Sequence, residues 1–272
     1  MFLQFALRKK RGKRETAKPR FLVLRRRTLT IGAALLAALA IFGAVNAPAA
    51  VRASAATRQL PIYCVQPAEG EKNISISFDA AWGADDTDRL IEILGKYNVK
   101  ATFFLVGQWV DTYPEEVRKL AEAGHEVMNH SDTHPYFTKC STESILKEIE
   151  PCNDKIEALT GVRPTLIRCP YGDYDDHVIN AVRSLGMEPI QWSIDSLDWK
   201  ESSTAASILE RVTSKAAPGG IILCHNDAKY TPDALEEILK TLIGEGYTFV
   251  PISELLLTGS YTIDHAGMQC PA

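Results

Sequence analysis

The chain has 272 residues, of which 46% are hydrophobic, 8% aromatic and 24% charged. These values are typical of a globular protein with one or two domains, and they exclude wholesale disorder, collagen and a continuous coiled coil. Residues 1–27 contain eleven Lys/Arg and one Glu, so the rest of the chain, with 19 basic and 33 acidic residues, has a charge of −14. This negative charge disfavours binding to nucleic acid.

The N-terminal part of the chain has the pattern of a membrane-targeting leader. A basic segment at 1–27 precedes seventeen uncharged residues, which predicts a transmembrane signal anchor or a signal peptide at 28–46. Because the basic side of such a segment stays in the cytoplasm, we expect a single-pass protein of the cell membrane with its folded domain outside. Ala47-Pro48-Ala49 resembles a cleavage site, and cleavage there would give a secreted protein. A linker is predicted at 47–70.

The cysteines fit no zinc-ribbon or CxxC spacing, which disfavours a structural metal cluster. An exported domain permits disulfides, but the sequence selects no pairing among them. The six residues are Cys64, Cys140, Cys152, Cys169, Cys224 and Cys270.

From residue 73 onward, strand-like and helix-like segments alternate along the chain. Strands are predicted at 73–79, 101–106, 126–129, 165–168, 189–193, 220–224 and 248–250. Helices are predicted at 85–97, 114–123, 142–159 with Thr142 as its N-cap, 175–185, 204–215 and 232–244. Repeated strand–helix units indicate an α/β fold with a parallel sheet covered by helices. Since no glycine-rich nucleotide-binding motif follows any strand, we expect a barrel rather than an open nucleotide-binding sheet.

Polar side chains stand where several of these strands end, which is where parallel barrels carry their active sites. They are Asp79, His130, Arg168, Asp195 and His225. A carboxylate at the end of an apolar strand is costly to bury without a partner, so we expect Asp79 to be functional rather than a helix cap. The guanidinium of Arg168 is a suitable partner for such a carboxylate, although a plain Pro-Gly turn with an exposed Arg has the same sequence.

Two histidines, His130 and His134, are four residues apart. On one helix face or in a tight turn, both imidazoles can bind the same divalent ion, for which Zn²⁺ is the expected choice. Two ordinary surface histidines are the alternative. His225 follows a very apolar strand, and this position alone indicates a core histidine more readily than a catalytic one.

Five ordered segments resemble the motifs of the polysaccharide deacetylases of carbohydrate esterase family 4, which have a NodB homology domain. The segments are 77–83 (SFDAAWG), 130–134 (HSDTH), 168–172 (RCPYG), 195–199 (DSLDW) and 223–225 (LCH). We therefore predict this domain at 71–258, followed by a tail at 259–272. With its leader, the chain looks most like the sporulation-associated deacetylases of spore-forming Gram-positive bacteria.

The resemblance implies a distorted (β/α) barrel of about seven strands that hydrolyses the N-acetyl groups of an amino-sugar polymer. Peptidoglycan outside the cytoplasmic membrane, during sporulation, is the expected substrate. A chitin-like or other exopolysaccharide is the alternative polymer. The expected partners are thus a polysaccharide and, through the leader, the membrane, with no nucleic acid.

The resemblance also assigns roles to the residues at the strand ends. Asp79 matches the general base that activates a metal-bound water, and Arg168 matches the residue that orients this base. His130 and His134 match two metal ligands. His225 matches the proton donor to the leaving amine.

Further residues match contacts around the reacting centre. Asp198 matches the acid that pairs with the catalytic histidine. Tyr171, next to Pro170, matches the supplier of a backbone oxyanion donor. Leu223 and Trp199 match the walls of the pocket that receives the acetyl group.

One position departs from the family's pattern. The usual first motif has two consecutive aspartates, the base and then a metal ligand, whereas residue 80 is Ala. The metal would then be held by two histidines and water, or by a recruited carboxylate of Asp85, Asp86 or Asp132. A catalytically impaired glycan-binding or structural protein of cell-wall or spore assembly is therefore the alternative function.

Overall fold

The computed structural model of the protein describes residues 31–32, 35–37 and 58–272. The predicted basic segment at 1–27, most of the predicted membrane segment at 28–46 and residues 47–57 of the predicted linker lie outside these residues. Within the described part of the chain, no helix combines the length and apolar character needed to cross a membrane. For the residues that the structure describes, this finding contradicts the predicted location as a single-pass membrane protein. Residues 59–272 form one compact unit.

The elements of this unit alternate as the sequence predicts, with additional short ones. Their order is β1 (Cys64–Val65), β2 (Asn73–Ala80), α1 (Thr87–Lys96), β3 (Thr102–Leu105), α2 (Gly107–Thr112), α3 (Pro114–Glu122), β4 (Glu126–Asn129), α4 (Thr142–Thr160), β5 (Leu166–Ile167), α5 (Asp176–Ser184), β6 (Glu188–Pro189), β7 (Ile194–Asp195), α6 (Ala205–Lys215), β8 (Ile221–His225), α7 (Thr231–Gly244), β9 (Thr248–Phe249), α8 (Ile252–Leu255), β10 (Tyr261–Ile263) and β11 (Met268–Pro271).

Seven strands form a parallel sheet in the order β6-β5-β4-β3-β2-β8-β7, and β9 also pairs with β2. The two edge strands, β6 and β7, do not pair with each other. The sheet is therefore a half-barrel of seven strands, which agrees with the strand number of the predicted distorted barrel and is open on one side. Part of the gap is filled by the predicted linker, because Ile62 forms a parallel bridge with Ile190.

In strand β2, side chains alternate between the two faces of the sheet, and this alternation places Asp79 in the site. Ile74, Ile76 and Phe78 lie in the main apolar core, on the side covered by helices. The alternate residues point to the opposite face of the sheet, where the Ser77 hydroxyl donates to the carbonyl of Ile222. Asp79 ends this second series, so the side chain reaches the inner face of the half-barrel at the carboxyl end of the strand.

Three local features differ from the prediction. Helix α4 is capped by Ser141, whose hydroxyl accepts from the amide of Ser144, and not by Thr142. The strand predicted at 189–193 is short, because β6 ends at Pro189 and the chain turns before β7. Residues 259–272, predicted as a tail, contain β10 and β11, which form a second sheet with β1.

All six cysteines are free thiols in the described structure. Cys169 and Cys224, which lie within two of the sequence motifs, are buried at 2% and 1% exposure. Burial raises the pKa of Cys169 to about 12 and also raises that of Cys224. Both are therefore protonated thiols that pack in the core.

Candidate active site

Residues from five strand ends line one cavity of about 410 Å³ at the carboxyl edge of the sheet. Most of the predicted site residues are among them. The lining consists of Asp79, Ala81, Trp82, His130, His134, Tyr171, Gly172, Trp192, Asp195, Trp199, Leu223 and His225. Three other predicted residues, Arg168, Asp198 and Pro170, are buried next to the lining.

The base of the cavity contains an ion pair between Asp79 and Arg168. Nη1 of Arg168 donates to Oδ1 of Asp79 at 2.6 Å, and Nη2 donates to the carbonyl oxygen of Gln191 at 3.2 Å. The guanidinium lies 4.2 Å above the ring of Phe104 and has no exposed surface. Burial favours a higher pKa for Asp79, but the charge of Arg168, with those of two nearby histidines, outweighs it and lowers the pKa. Asp79 is therefore ionised at neutral pH.

The two histidines of the second motif meet at their Nε2 atoms, which are 3.2 Å apart. Nδ1 of His130 is 2.7 Å from the carbonyl oxygen of Arg168. Because a carbonyl only accepts, this nitrogen carries the proton, which leaves Nε2 of His130 as a free acceptor. Burial lowers the pKa of His130, and it lowers that of His134 to about 4. Both rings are thus neutral at pH 7, the form that binds metals.

This pair has the donor chemistry of two metal ligands. Ligand distances of about 2.0–2.1 Å in a tetrahedral zinc site place two nitrogens roughly 3.3 Å apart, close to the observed separation. The hydrogen bond from Nδ1 of His130 to a carbonyl also orients the ring, as is usual for metal-binding histidines. Oδ2 of Asp79 is 3.5 Å from Nε2 of His130, on the same side of the cavity.

A third ligand is not in place. Among residues 31–32, 35–37 and 58–272, no group of three His, Cys, Asp or Glu side chains is arranged to hold an ion. Ala80 belongs to the apolar core. Asp132 accepts from Lys155 at 2.6 Å, and Asp86 accepts from the amide of Asp227 at 2.9 Å. The recruitment of a carboxylate that the sequence left open is therefore not observed.

The cavity also carries a second dyad, His225 and Asp198. Nδ1 of His225 is 2.7 Å from Oδ1 of Asp198, whose Oδ2 accepts from the His225 amide and from the Thr231 hydroxyl. Burial favours a lower pKa for His225, but the hydrogen bond and charge of Asp198 outweigh it, so the pKa lies above its usual range. The Nδ1 proton is fixed on Asp198, which leaves Nε2 for proton transfer.

Aromatic rings that the sequence analysis did not assign complete the rim. The Trp82 ring lies parallel to the imidazole of His225, with 5.7 Å between centroids, and can stabilise its cationic form. Tyr136 stacks on Tyr171 at 4.1 Å, and Tyr171 contacts the ring of His134 edge-on. Trp82 is only three residues from Asp79, so the first motif contained a signal for it, but nothing local marked Tyr136.

The comparisons with known proteins agree with this geometry. Residues 66–190 match the family model described as polysaccharide deacetylase. The peptidoglycan-N-acetylmuramic acid deacetylase PdaC of Bacillus subtilis is 37% identical over 185 residues, which are 68% of this chain and 39% of that protein. The peptidoglycan-N-acetylglucosamine deacetylase PgdA of Listeria monocytogenes is 36% identical, over 70% of this chain and 40% of that protein. The chain thus spans about two-fifths of the length of these two relatives.

Solved structures give the same result. The structure of PdaC from Bacillus subtilis is 37% identical, with a TM-score of 0.63 and coverage of 68% of this chain and 90% of that one. A CE4 family pseudoenzyme from Bacillus anthracis is 34% identical, with a TM-score of 0.68 and coverage of 72% and 68%. The chain therefore belongs to the polysaccharide deacetylase family, which confirms the resemblance found in its motifs.

Proposed function

We propose that the protein hydrolyses the N-acetyl groups of amino sugars in peptidoglycan. The observation that carries this proposal is the pair of buried dyads in one cavity, Asp79 with Arg168 and His225 with Asp198. Asp79 and His225 stand side by side on the paired strands β2 and β8. One dyad keeps a base ionised, and the other favours the protonated form of an acid. Amide hydrolysis requires both, and the relatives named for peptidoglycan deacetylation support this polymer as the substrate.

In the proposed reaction, Asp79 accepts a proton from the water that attacks the acetyl carbonyl carbon. Arg168 holds the carboxylate in place through its hydrogen bond to Oδ1, which leaves Oδ2 towards the histidines. The protonated His225 then gives its proton to the sugar nitrogen as the carbon–nitrogen bond breaks. The products are acetate and a free amine.

Other cavity residues have supporting roles. Leu223 and Trp199 form an apolar wall suited to the acetyl methyl group, and the turn at Tyr171 is placed to supply a backbone donor to the developing oxyanion. A divalent metal, expected to be Zn²⁺ at His130 and His134, supplies polarisation of the carbonyl and a more acidic bound water when it is present. A role in sporulation, which the resemblance implies, stays a prediction.

A second candidate function is glycan binding without turnover in cell-wall or spore assembly. Two observations favour it: position 80 is Ala, and the described site offers only two histidines where catalytic zinc sites use three protein ligands. A solved relative is itself described as a pseudoenzyme. The dyads argue for catalysis, because simple glycan binding does not need an ionised base and a protonated acid at one centre.

Acetate release by the purified full-length protein tests the proposal. We expect release from peptidoglycan that increases with added Zn²⁺, falls with chelator and is lost in the Asp79→Asn and His225→Ala variants. The exposed Asp88→Asn variant is the control. Faster release from chito-oligosaccharide would reassign the polymer.

Two results would support the second candidate function instead. The first is glycan binding by the wild-type protein with no acetate release under any metal condition. The second is acetate release that first appears in an Ala80→Asp variant, which has the missing ligand residue. Release by both dyad variants at the wild-type rate would contradict the proposed mechanism.

A further inference from the structure

A second groove, of about 450 Å³, lies beside the cavity between the loop at 196–203 and helix α6. Its lining is polar and carries three cations, Lys200, Arg211 and Lys215, with one acid, Glu210, and several serine hydroxyls. Lys200 and Lys215 are exposed, and Arg211 is half-buried. The groove therefore presents an excess of positive charge to solvent.

The three cations have no ion pair with an acidic side chain of the described residues. At least ten of the eighteen Lys/Arg in 58–272 do have a carboxylate oxygen within 4.0 Å. Residues after position 27 are also strongly acidic overall, with 33 Asp/Glu against 19 Lys/Arg. A cluster of three unpaired cations on such a surface attracts an anion from outside the chain.

Two contacts join residues that line the groove to residues that line the cavity. Nζ of Lys200 is 5.4 Å from the ring centroid of Trp199, which lines the cavity. Nε of Arg211 donates to the carbonyl oxygen of Asp195 at 2.6 Å, and Asp195 also lines the cavity. This bond uses only Nε, so both terminal nitrogens of Arg211 can donate to a carboxylate. A group attached to the sugar in the cavity can thus reach the groove.

We infer that this groove binds the carboxylates of an anionic amino sugar, which makes a muramic-acid-type residue the preferred substrate. In N-acetylmuramic acid, a lactyl ether on the ring carbon next to the acetamido carbon carries a carboxylate. Where peptidoglycan bears a peptide, this carboxyl is joined to it as an amide, and the peptide has carboxylates of its own. A neutral chitin-like polymer has no charge to place there. The inference rests on the proposed function, because it takes the N-acetyl group to lie in the cavity.

Binding by isothermal titration calorimetry tests the inference with the full-length protein. The Asp79→Asn background keeps the sugar from being consumed. Three probes are compared: a peptidoglycan oligosaccharide with peptides removed, the same oligosaccharide with its peptides, and neutral chitotetraose. The test variant is Lys200→Gln/Lys215→Gln. The control is Lys147→Gln/Lys240→Gln, which removes the same charge from exposed positions on α4 and α7.

We expect the test variant to bind both anionic oligosaccharides about tenfold more weakly, since two partly screened charge contacts are lost. Binding of chitotetraose should not change, and the control should match the background protein. Raising NaCl from about 0.05 to 0.5 M should remove the difference in affinity for the anionic probes between the test variant and the background protein, because salt screens exposed charges. A larger loss for the peptide-bearing probe would identify the peptide carboxylates as the ligand, because the lactyl carboxyl of that probe is an uncharged amide. A larger loss for the peptide-free probe would identify the lactyl carboxylate.

The inference would be overturned if the test variant bound the anionic probes as tightly as the background protein does. It would also be overturned if the affinity for chitotetraose fell as much as the affinity for the anionic probes. Failure of the proposed function is a separate result. In that case the wild-type protein would release no acetate from any probe, whereas the charge-dependent difference in binding would still be measurable.

Discussion

Arg168 is the largest fully buried side chain among the described residues. Its charge is compensated by Asp79 and its Nη2 donates to a carbonyl, whereas its buried Nε has no hydrogen-bond partner. Removing one partner of a buried ion pair leaves the other charge without compensation, which costs about 3–5 kcal/mol. We therefore expect Arg168→Met to lower the free energy of unfolding by that amount at pH 7, as measured by urea denaturation. Exposed Arg163 also has acidic partners, and Arg163→Met should cost less than about 1 kcal/mol.

The decrease in the free energy of unfolding caused by Arg168→Met should depend on pH. Arg168 lowers the folded-state pKa of Asp79, so the pair contributes stability above the unfolded pKa of Asp79 and loses it as the pH falls through the folded pKa. The difference between wild type and Arg168→Met should therefore shrink in acid. A loss that stays constant between neutral and acidic pH would contradict the ion-pair account.

His225 is a proton donor only below its pKa, which the neighbouring carboxylates raise. We expect kcat/KM to fall as the pH rises through this pKa. Asp198→Asn removes the hydrogen-bonded charge, so the alkaline limb of the pH profile of kcat/KM should move to lower pH. Asp195→Asn removes a weaker influence on the same histidine and should move that limb less. Measured pH–rate profiles with the opposite order would exclude Asp198 as the residue that sets this pKa.

At the scale of elements, the start of α4 is set by one hydroxyl. Ser141 has extended backbone geometry and accepts from the amide of Ser144 at 3.2 Å, whereas the hydroxyl of Thr142 pairs with His177. Ser141→Ala should lower the free energy of unfolding by about 1 kcal/mol, the usual cost of a lost N-cap. Thr142→Ala, the neighbouring control, should cost less than half as much in the same urea denaturation. A negligible cost for Ser141→Ala would contradict a stabilising role of this cap.

The sequence alone could not decide which residue caps α4. Ser and Thr are both good N-caps, and only the backbone angle of the preceding turn decides between them. Period-two alternation predicted β2 because Ser75, Ser77 and Asp79 share one face of the sheet. Strands of two residues, such as β5 and β7, are too short to show a period, so the predicted bounds there were less accurate.

At the scale of the whole molecule, the topology explains which site residues could be predicted. Parallel strands bring their carboxyl ends to one edge, so Asp79 and Arg168 could be expected to meet although 89 positions separate them. Contacts that depend on loop conformation, such as Trp82 on His225, have no periodic signal. The half-barrel's open side was not predicted either, because it is filled by the segment around Ile62, whose pattern resembles a linker.

The C-terminal residues close the molecule around that segment, which gives a last test. The carbonyl of Gly267 accepts from the amide of Tyr63 at 2.9 Å, and β11 pairs with β1. Gly267 and Gly259 both have positive φ, of 83° and 87°, so alanine at either position costs about 1–2 kcal/mol of backbone strain. An added Cβ at Gly267 would lie 2.3 Å from the ring of Tyr63, whereas at Gly259 it meets nothing within 4 Å.

We therefore expect Gly267→Ala to lower the free energy of unfolding by at least about 1 kcal/mol more than Gly259→Ala, because the overlap with Tyr63 adds to the strain. Urea denaturation of both full-length variants measures the difference. If 259–272 is an integral part of the compact unit, the loss appears in one cooperative transition of the whole unit. Equal losses, or a separate early transition, would instead show that the C-terminal sheet folds independently of the half-barrel.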